Sequence, residues 1–289
     1  MTGKSTSVRA HAKINLILRV LDRAPDGYHQ LDTLFQRIAI ADDVTVRTET
    51  STDTLDVRWE SATREDLGSV EQNLAWRAAV AYRTASGRPA RFGIEITKRI
   101  PTRAGLGGGS ADAAAVLRAL DAMAPAPLGS VRLLRLAASL GADVPFLTSD
   151  ASLAIGRGRG DRIVILPPLP SASVVVLVPE FGVSTAEAYA DLARSRSASG
   201  YAPPPVRLES AALTTWAQVA AQQINDFEPT VFARHPVQAA GQAALAGHGA
   251  AIARLSGSGS AVFGLWEGRA TWPESIEGGT GAVLRTETA

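Results

Sequence analysis

The sequence predicts an α+β fold. Stretches with strand and helix patterning follow one another in irregular order, unlike the strict alternation of a doubly wound sheet. At about 150 residues per domain, 289 residues make two domains or one large one. A glycine run separates an alternating, β-rich stretch from an Ala- and Leu-rich one. With 46% hydrophobic and 20% charged residues the chain can bury a core, which excludes wholesale disorder.

The elements follow in order. His11 to Val20 is rich in Ile, Leu and Val and reads as a strand, and Asp26-Gly27 as a turn. Val44 to Thr48 and Thr54 to Trp59 are β-rich. Leu74 to Thr84 has helical spacing, with Asn73 as N-cap and Gly87 as stop. Phe92 to Ile100 alternates, with Phe92, Ile94 and Ile96 on one face, and Pro101 ends it. Ala111 to Met123 predicts a good helix. Val131 to Leu140 predicts another, stopped by Gly141. Strands are expected at Ser152–Ile155, Arg162–Leu166 and Ser173–Val178. Ser195 to Val206, with Pro203-Pro204-Pro205, reads as a loop. Helices at Leu213–Gln223 and Pro236–Ala246 and a strand at Ala261–Leu265 complete the chain. The weakest point for a domain boundary is near Gly156–Gly160.

Twenty-nine Lys and Arg balance 28 acids, which excludes a global bias toward nucleic acid or membrane. The absence of cysteine excludes disulfides, thiolate metal sites and Cys nucleophiles, and a reduced cytoplasm is the default compartment. No stretch approaches the roughly 18 apolar residues of a membrane span; Ala172 to Val178 is closed by Pro179. The basic N-terminus resembles a transit peptide only in charge, since no small-residue cleavage site follows an apolar region. A soluble, unprocessed chain is expected.

The chemistry concentrates in a few places. Strand, glycine run, helix is an arrangement that presents backbone N–H groups to an anion, and the run Gly105-Leu106-Gly107-Gly108-Gly109-Ser110 fits it. The helix dipole alone contributes only about 0.3–1 kcal/mol, so converging N–H bonds must supply most of the grip. No Lys follows the glycines, so this is not a Walker A loop, and the final position departs from a dinucleotide fingerprint. Gly3-Lys4-Ser5-Thr6 ends like a Walker A loop but has no room for the preceding strand. Lys13 and Asn15, at i and i+2 on a strand, share a face. Asp143, in Gly141-Ala142-Asp143-Val144-Pro145-Phe146, stands in an apolar bend before an X-Pro unit, and spacing alone favours a helix cap over a catalytic group. Tyr28-His29 beside the Asp26-Gly27 turn is either an aromatic lid or a pair that stacks on a base. Leu255-Ser256-Gly257-Ser258-Gly259-Ser260 is a second flexible loop. The histidines lack ligand spacing, so no zinc site is expected.

Together these pieces resemble the GHMP small-molecule kinases, whose ATP loop is matched by Pro101-x-x-x-Gly105-Leu106-Gly107-Gly108-Gly109-Ser110. Ala12-Lys13-Ile14-Asn15-Leu16, Asp26-Gly27-Tyr28-His29, Gly141-Ala142-Asp143-Val144-Pro145-Phe146, Val183-Ser184-Thr185-Ala186-Glu187-Ala188-Tyr189, Asn225-Asp226-Phe227-Glu228-Pro229 and Ser256-Gly257-Ser258-Gly259 occur in that order. They narrow the resemblance to the branch whose substrate is a methylerythritol carried on cytidine diphosphate, in non-mevalonate isoprenoid biosynthesis. The resemblance implies an N-terminal ATP-binding domain (1–160) and a C-terminal α/β domain (161–289) with the active site in the cleft between them. It implies phosphoryl transfer from ATP, with Mg2+, by positioning and electrostatics.

Residue by residue, the resemblance makes Asp143 the general base and Lys13 its cationic partner, which keeps the carboxylate ionised and offsets developing charge. Pro101, Thr102, Arg103, Ala104, Gly105, Leu106, Gly107, Gly108, Gly109, Ser110 and Ala111 would hold ATP. Asn15 and Thr185 would bind substrate, and Tyr28, His29 and Tyr189 would hold its cytosine. Lys98 and Asn73 match positions near the adenine or ribose more weakly. Ala111 and Arg103-Ala104 depart from the family pattern without removing a backbone N–H. The basic Arg157-Gly158-Arg159-Gly160-Asp161 has no assignment. Competing readings are a GHMP kinase for another alcohol, a non-catalytic nucleotide-binding protein and an RNA-binding protein. The Tyr28-His29 and Tyr189 positions, the Lys13 and Asp143 pair, and the balanced charge argue against each in turn.

Overall fold

The computed structural model describes residues 3–23, 27, 29–60, 68–88, 91–202, 207–268 and 281–289. It divides into two compact units: unit 1 is Met1–Ala12, Ile40–Pro101 and Gly107–Asp150, and unit 2 is Lys13–Ala39, Thr102–Leu106 and Ala151–Ala289.

The first strands, β1 (Ser5–Arg23) and β2 (His29–Thr48), pair with each other and run through both units. In unit 1 they are followed by β3 (Thr54–Trp59), α1 (Leu74–Ser86), β4 (Phe92–Lys98), α2 (Gly108–Met123), α3 (Ser130–Leu140) and α4 (Val144–Ser149). Residues Asp43–Thr48 of β2 pair antiparallel with β4, and β3 pairs parallel with β4. Two adjacent parallel strands need a crossover, and α1 supplies it. Asn73 caps α1 as expected, its side chain accepting from Ala75 N–H at 2.9 Å, and Gly87 ends it. The helix α2 is buried on nearly every side, Ala111, Ala113, Ala114, Ala115 and Ala119 included. Its alanines let neighbouring elements approach closely, and its one fully enclosed carboxylate, Asp112, is paired with Lys98.

In unit 2, Leu31–Gln36 of β2 pairs antiparallel with β5 (Leu153–Gly158), and β5 with β6 (Arg162–Leu166). There follow β7 (Ala172–Val178), α5 (Thr185–Ser199), α6 (Trp216–Gln222), α7 (Glu228–Arg234), α8 (Pro236–Gly247), β8 (Ile252–Leu255), β9 (Val262–Glu267) and β10 (Ala282–Glu287). A second, antiparallel sheet has the order β10-β7-β9-β8. A core of Leu18, Val20, Val175, Leu177, Leu192, Phe227, Val231, Leu245 and Val262 joins this sheet to α5, α7, α8 and the end of β1.

The boundary expected at 160/161 lies between β5 and β6, which pair within unit 2. Several local expectations are corrected. Ser195–Ser199 is the last part of α5, not loop; Ser184 caps that helix and Gly200 ends it, while 203–206 lie outside the described residues. Only Val44–Thr48 of β2 was legible, because its middle is buried on both faces and shows no alternation. At Asp143 the bend continues as α4: Pro145 lies in the first turn, where its fixed φ and missing N–H cost nothing. The same placement of Pro229 starts α7, while Pro236 starts α8 as expected. The strands β8 and β10 and the helix α7 carried no distinct signal of their own.

Candidate active site

The glycine run leads directly into α2. Gly107 is the N-cap and no side chain caps the helix, so its first N–H groups are left for an external acceptor. Beneath this end of α2, Lys98 is buried at 3% exposure and paired with Asp112 at 2.7 Å and with Asp42. Asp42 also accepts from Ile100 N–H at 2.8 Å. Burial would lower the Lys98 pKa, but the Asp112 and Asp42 carboxylates outweigh it and raise it. Burial pushes Asp112 up to about 7 against the pull of Lys98. Lys98 is thus enclosed by carboxylates, and Asn73 is spent on capping α1.

In unit 2, residues 102–106 are gripped by the second glycine-serine loop. Ser256 Oγ donates to Gly105 O at 2.9 Å, and Ala261 N–H donates to Ala104 O at 3.1 Å. Gly105 has φ +75°, and a Cβ there would lie 2.0 Å from Ser256 O. Asn225 secures that loop in turn, donating to Leu255 O and Gly257 O, each at 2.8 Å. Ser256 and Asn225 were missed as positioning residues. Their only signal was membership of the quoted motifs, because their work is done through contacts distant in sequence.

Lys13 N–H donates to Leu106 O at 3.0 Å. Its ammonium, on a side chain only 3% exposed, donates to Asn15 Oδ1 at 2.7 Å and lies 5.8 Å from the Phe35 ring centroid. Asn15 donates to Thr33 Oγ1 at 2.8 Å, which donates to Ile17 O at 2.7 Å. This chain orients the Asn15 amide so that its oxygen faces Lys13. The two residues share a face as expected, but neither is solvated, since β1 is buried on both faces here. A buried cation held this way is a pre-set positive charge.

Asp143 belongs to unit 1. It occupies the N-cap position of α4 but makes no side-chain cap bond, so the cap reading is corrected. It is half-buried. A Cβ built on nearby Gly141 would lie 4.0 Å from Ser110 Oγ, which places the α2 hydroxyl beside this turn.

His29 and Tyr189 come together in unit 2, stacked with ring centroids 5.1 Å apart and planes 15° from parallel. Tyr189 also packs edge-on against Phe227, at 4.9 Å and 87°. Tyr28 lies outside the described residues. Thr185, at the start of α5, shares a hydrogen bond with Ser258 Oγ at 3.0 Å. A cavity of about 460 Å³ is lined by Arg103, Gly105, Ser184, Thr185 and Ser258, which brings the first glycine segment, the second loop and the start of α5 around one space.

Among the described residues no group of three or more His, Cys, Asp or Glu could hold a metal ion. Magnesium with ATP does not require one: it keeps waters and phosphate oxygens and needs only one or two protein oxygens. The Ser110 hydroxyl suits that hard-cation chemistry.

The fold defines the class first. The pattern of the GHMP kinases N-terminal domain matches residues 73–150. A solved structure titled a homoserine kinase from Cytophaga hutchinsonii superimposes with a TM-score of 0.64 at 18% identity, over 90% of this chain and 84% of its own; it shares the fold. Similarity to one branch is much stronger. A 4-diphosphocytidyl-2-C-methyl-D-erythritol kinase of Solibacter usitatus is 40% identical over 96% of this chain and 86% of that protein. One of Geobacter metallireducens is 38% identical over 91% and 90%. A crystal structure of 4-(cytidine 5'-diphospho)-2C-methyl-D-erythritol kinase matches with a TM-score of 0.75 and 33% identity over 98% and 99%. The chain belongs to the 4-diphosphocytidyl-2-C-methyl-D-erythritol kinase family, within the GHMP kinases.

Proposed function

We propose that this chain transfers the γ-phosphoryl group of ATP to the 2-hydroxyl of 4-diphosphocytidyl-2-C-methyl-D-erythritol, releasing ADP and the 2-phosphate. The reaction belongs to non-mevalonate isoprenoid precursor biosynthesis, in the cytoplasm. The observation that carries the substrate is the stacked His29–Tyr189 pair, a platform for a base in a chain of this family. An acyclic alcohol such as homoserine would leave that platform unused.

In this reading the Asp143 carboxylate accepts the proton of the 2-hydroxyl. That oxygen bonds to the γ-phosphorus as the bond to the β-phosphate oxygen breaks. The uncapped N–H groups at the start of α2, with the backbone of 101–107, hold the ATP phosphates. Lys13, preset by Asn15, offsets charge developing on the transferred oxygens. Asn15 and Thr185 also position substrate, and Tyr28 joins His29 and Tyr189 on the cytosine. Ser110 would hold Mg2+ beside the phosphates. Bound magnesium would screen the charge of the β- and γ-phosphates.

The test is ADP and 2-phosphate formation with magnesium-ATP and the cytidylyl substrate, with homoserine and mevalonate as controls. Asp143→Asn and Lys13→Ala are each expected to lose about 10²–10⁴ in kcat while the protein stays folded. Turnover of a control alone would remove the cytosine assignment. Undiminished turnover in either variant would remove that residue's role.

A further inference from the structure

Unit 1 contains a second cavity, of about 400 Å³, at the end of α2 away from the glycine run. Leu120, on its wall, is about 18 Å along the helix from Gly108 at 1.5 Å per residue. Its floor is apolar: Ala79 of α1, Phe92 of β4, and Leu120 and Met123 of α2 are all buried. Cations stand around the mouth, with Glu49 the carboxylate that lines it.

These cations differ in their commitments. The Arg83 guanidinium pairs with Asp53 at 2.7 Å and lies 5.1 Å from the Phe92 ring centroid, so it is part of the wall. Lys4 donates to Met123 O at 2.8 Å, where the last carbonyls of α2 need donors. Arg91 is 59% exposed and reaches Asp53 only at 3.8 Å, beyond hydrogen-bond distance. Arg88 lines the same mouth. The buried Tyr82 adds no negative charge: it donates to Asp121 at 2.8 Å, and burial together with that carboxylate holds its ionisation above the ordinary range. Asp121 is occupied further by Leu128 N–H at 2.6 Å. An apolar floor under Arg88 and Arg91 is complementary to a ligand that is apolar along its body and negative at one end.

We propose that this cavity is a binding site for an amphipathic anion, a medium-length alkyl chain ending in a single phosphate or carboxylate group. It does not depend on the kinase substrate, since its walls share no residue with the site described above.

Calorimetric titration of the full-length protein with n-octyl phosphate tests it. Saturable binding at one site is expected, unaffected by saturating magnesium-ATP. From hexyl to octyl phosphate the affinity should rise about fourfold per methylene. Inorganic phosphate and 1-octanol, each lacking one half of the ligand, should bind about tenfold or more weakly. Octanoate beside octyl phosphate distinguishes carboxylate from phosphate preference, and saturable binding of either supports the site. The double variant Arg88→Ala, Arg91→Ala should lose about tenfold in octyl phosphate affinity, while 1-octanol affinity and kinase activity stay unchanged. Absence of saturable binding to both anions, equal binding by the double variant, or displacement by ATP would overturn the proposal. So would retention on phosphatidylcholine–phosphatidylglycerol vesicles without binding of the free amphiphiles, which would make this a membrane contact instead.

Discussion

Tyr189 shows how much rests on one side chain. Its ring is fixed from two directions, stacked on His29 and edge-on to Phe227, so a base arriving there meets an aromatic surface already in place. Stacking of a base on an aromatic ring is worth about 1–3 kcal/mol by alanine substitution, which is about five- to 150-fold in affinity. Tyr189→Ala is therefore expected to raise KM for the cytidylyl substrate within that range and leave KM for ATP unchanged. Tyr189→Phe, which keeps the ring, should behave like the parent. Steady-state kinetics with each substrate varied in turn decides this, and a parallel rise in both KM values would refute the base-platform role. Lys13 and Asn15 make a related point: their shared face follows from strand geometry, but the burial that turns Lys13 into an oriented charge does not.

At the scale of elements, the glycine run is held from outside its own segment. Its first part is tied to the loop at 256–259, and Gly105 is the residue across which they touch. Gly105→Ala would bring a methyl to 2.0 Å from Ser256 O in a left-handed conformation. Gly87→Ala has a similar φ, +66°, but nothing within 4 Å of the added carbon. The second change should cost only the backbone strain, about 1–2 kcal/mol, with activity retained. The first should cost more than that and should also lower kcat/KM steeply, because the loop must move. Urea denaturation and kinetics on both variants check the contrast; equal effects would show that the contact with Ser256 is unimportant. The short helices teach a similar lesson. Proline reads as a breaker from local sequence, yet at the first turn of α4 and α7 it begins the helix, as it does at the expected start of α8.

For the whole molecule, the buried group of Asp42, Lys98 and Asp112 sets a pH dependence of stability. Asp112 is raised from 3.8 to about 7, so the folded state takes up a proton that the unfolded chain has already lost. Its favourable contribution is therefore full below the ordinary value and lost as pH rises through about 7. Lys98 is also raised, so its contribution is present below 10.5 and is lost only above its folded value, in alkaline solution. Asp112→Asn keeps the Asp42–Lys98 pair and removes the neutral-range component. Between about pH 5 and pH 8 the stability of the variant should fall less than that of the parent. Thermal melts across this range would show parallel curves if Asp112 stayed ionised throughout.

What the sequence determined by itself was whatever local pattern encodes: the mix of strands and helices, the Asn73 cap, the glycine run opening α2, the common face of Lys13 and Asn15, and the ordered motifs that place the chain among the GHMP kinases. Tertiary structure alone decided which segments meet. The hydrogen bond between Ser256 and Gly105 joins positions 151 residues apart, and no periodicity carries information over that distance. Tertiary structure also decided the full length of β2 and the absence of a cap bond at Asp143. Burial on both faces erases the alternation by which a strand is read, and spacing shows where a side chain starts but not which partner its polar atoms find.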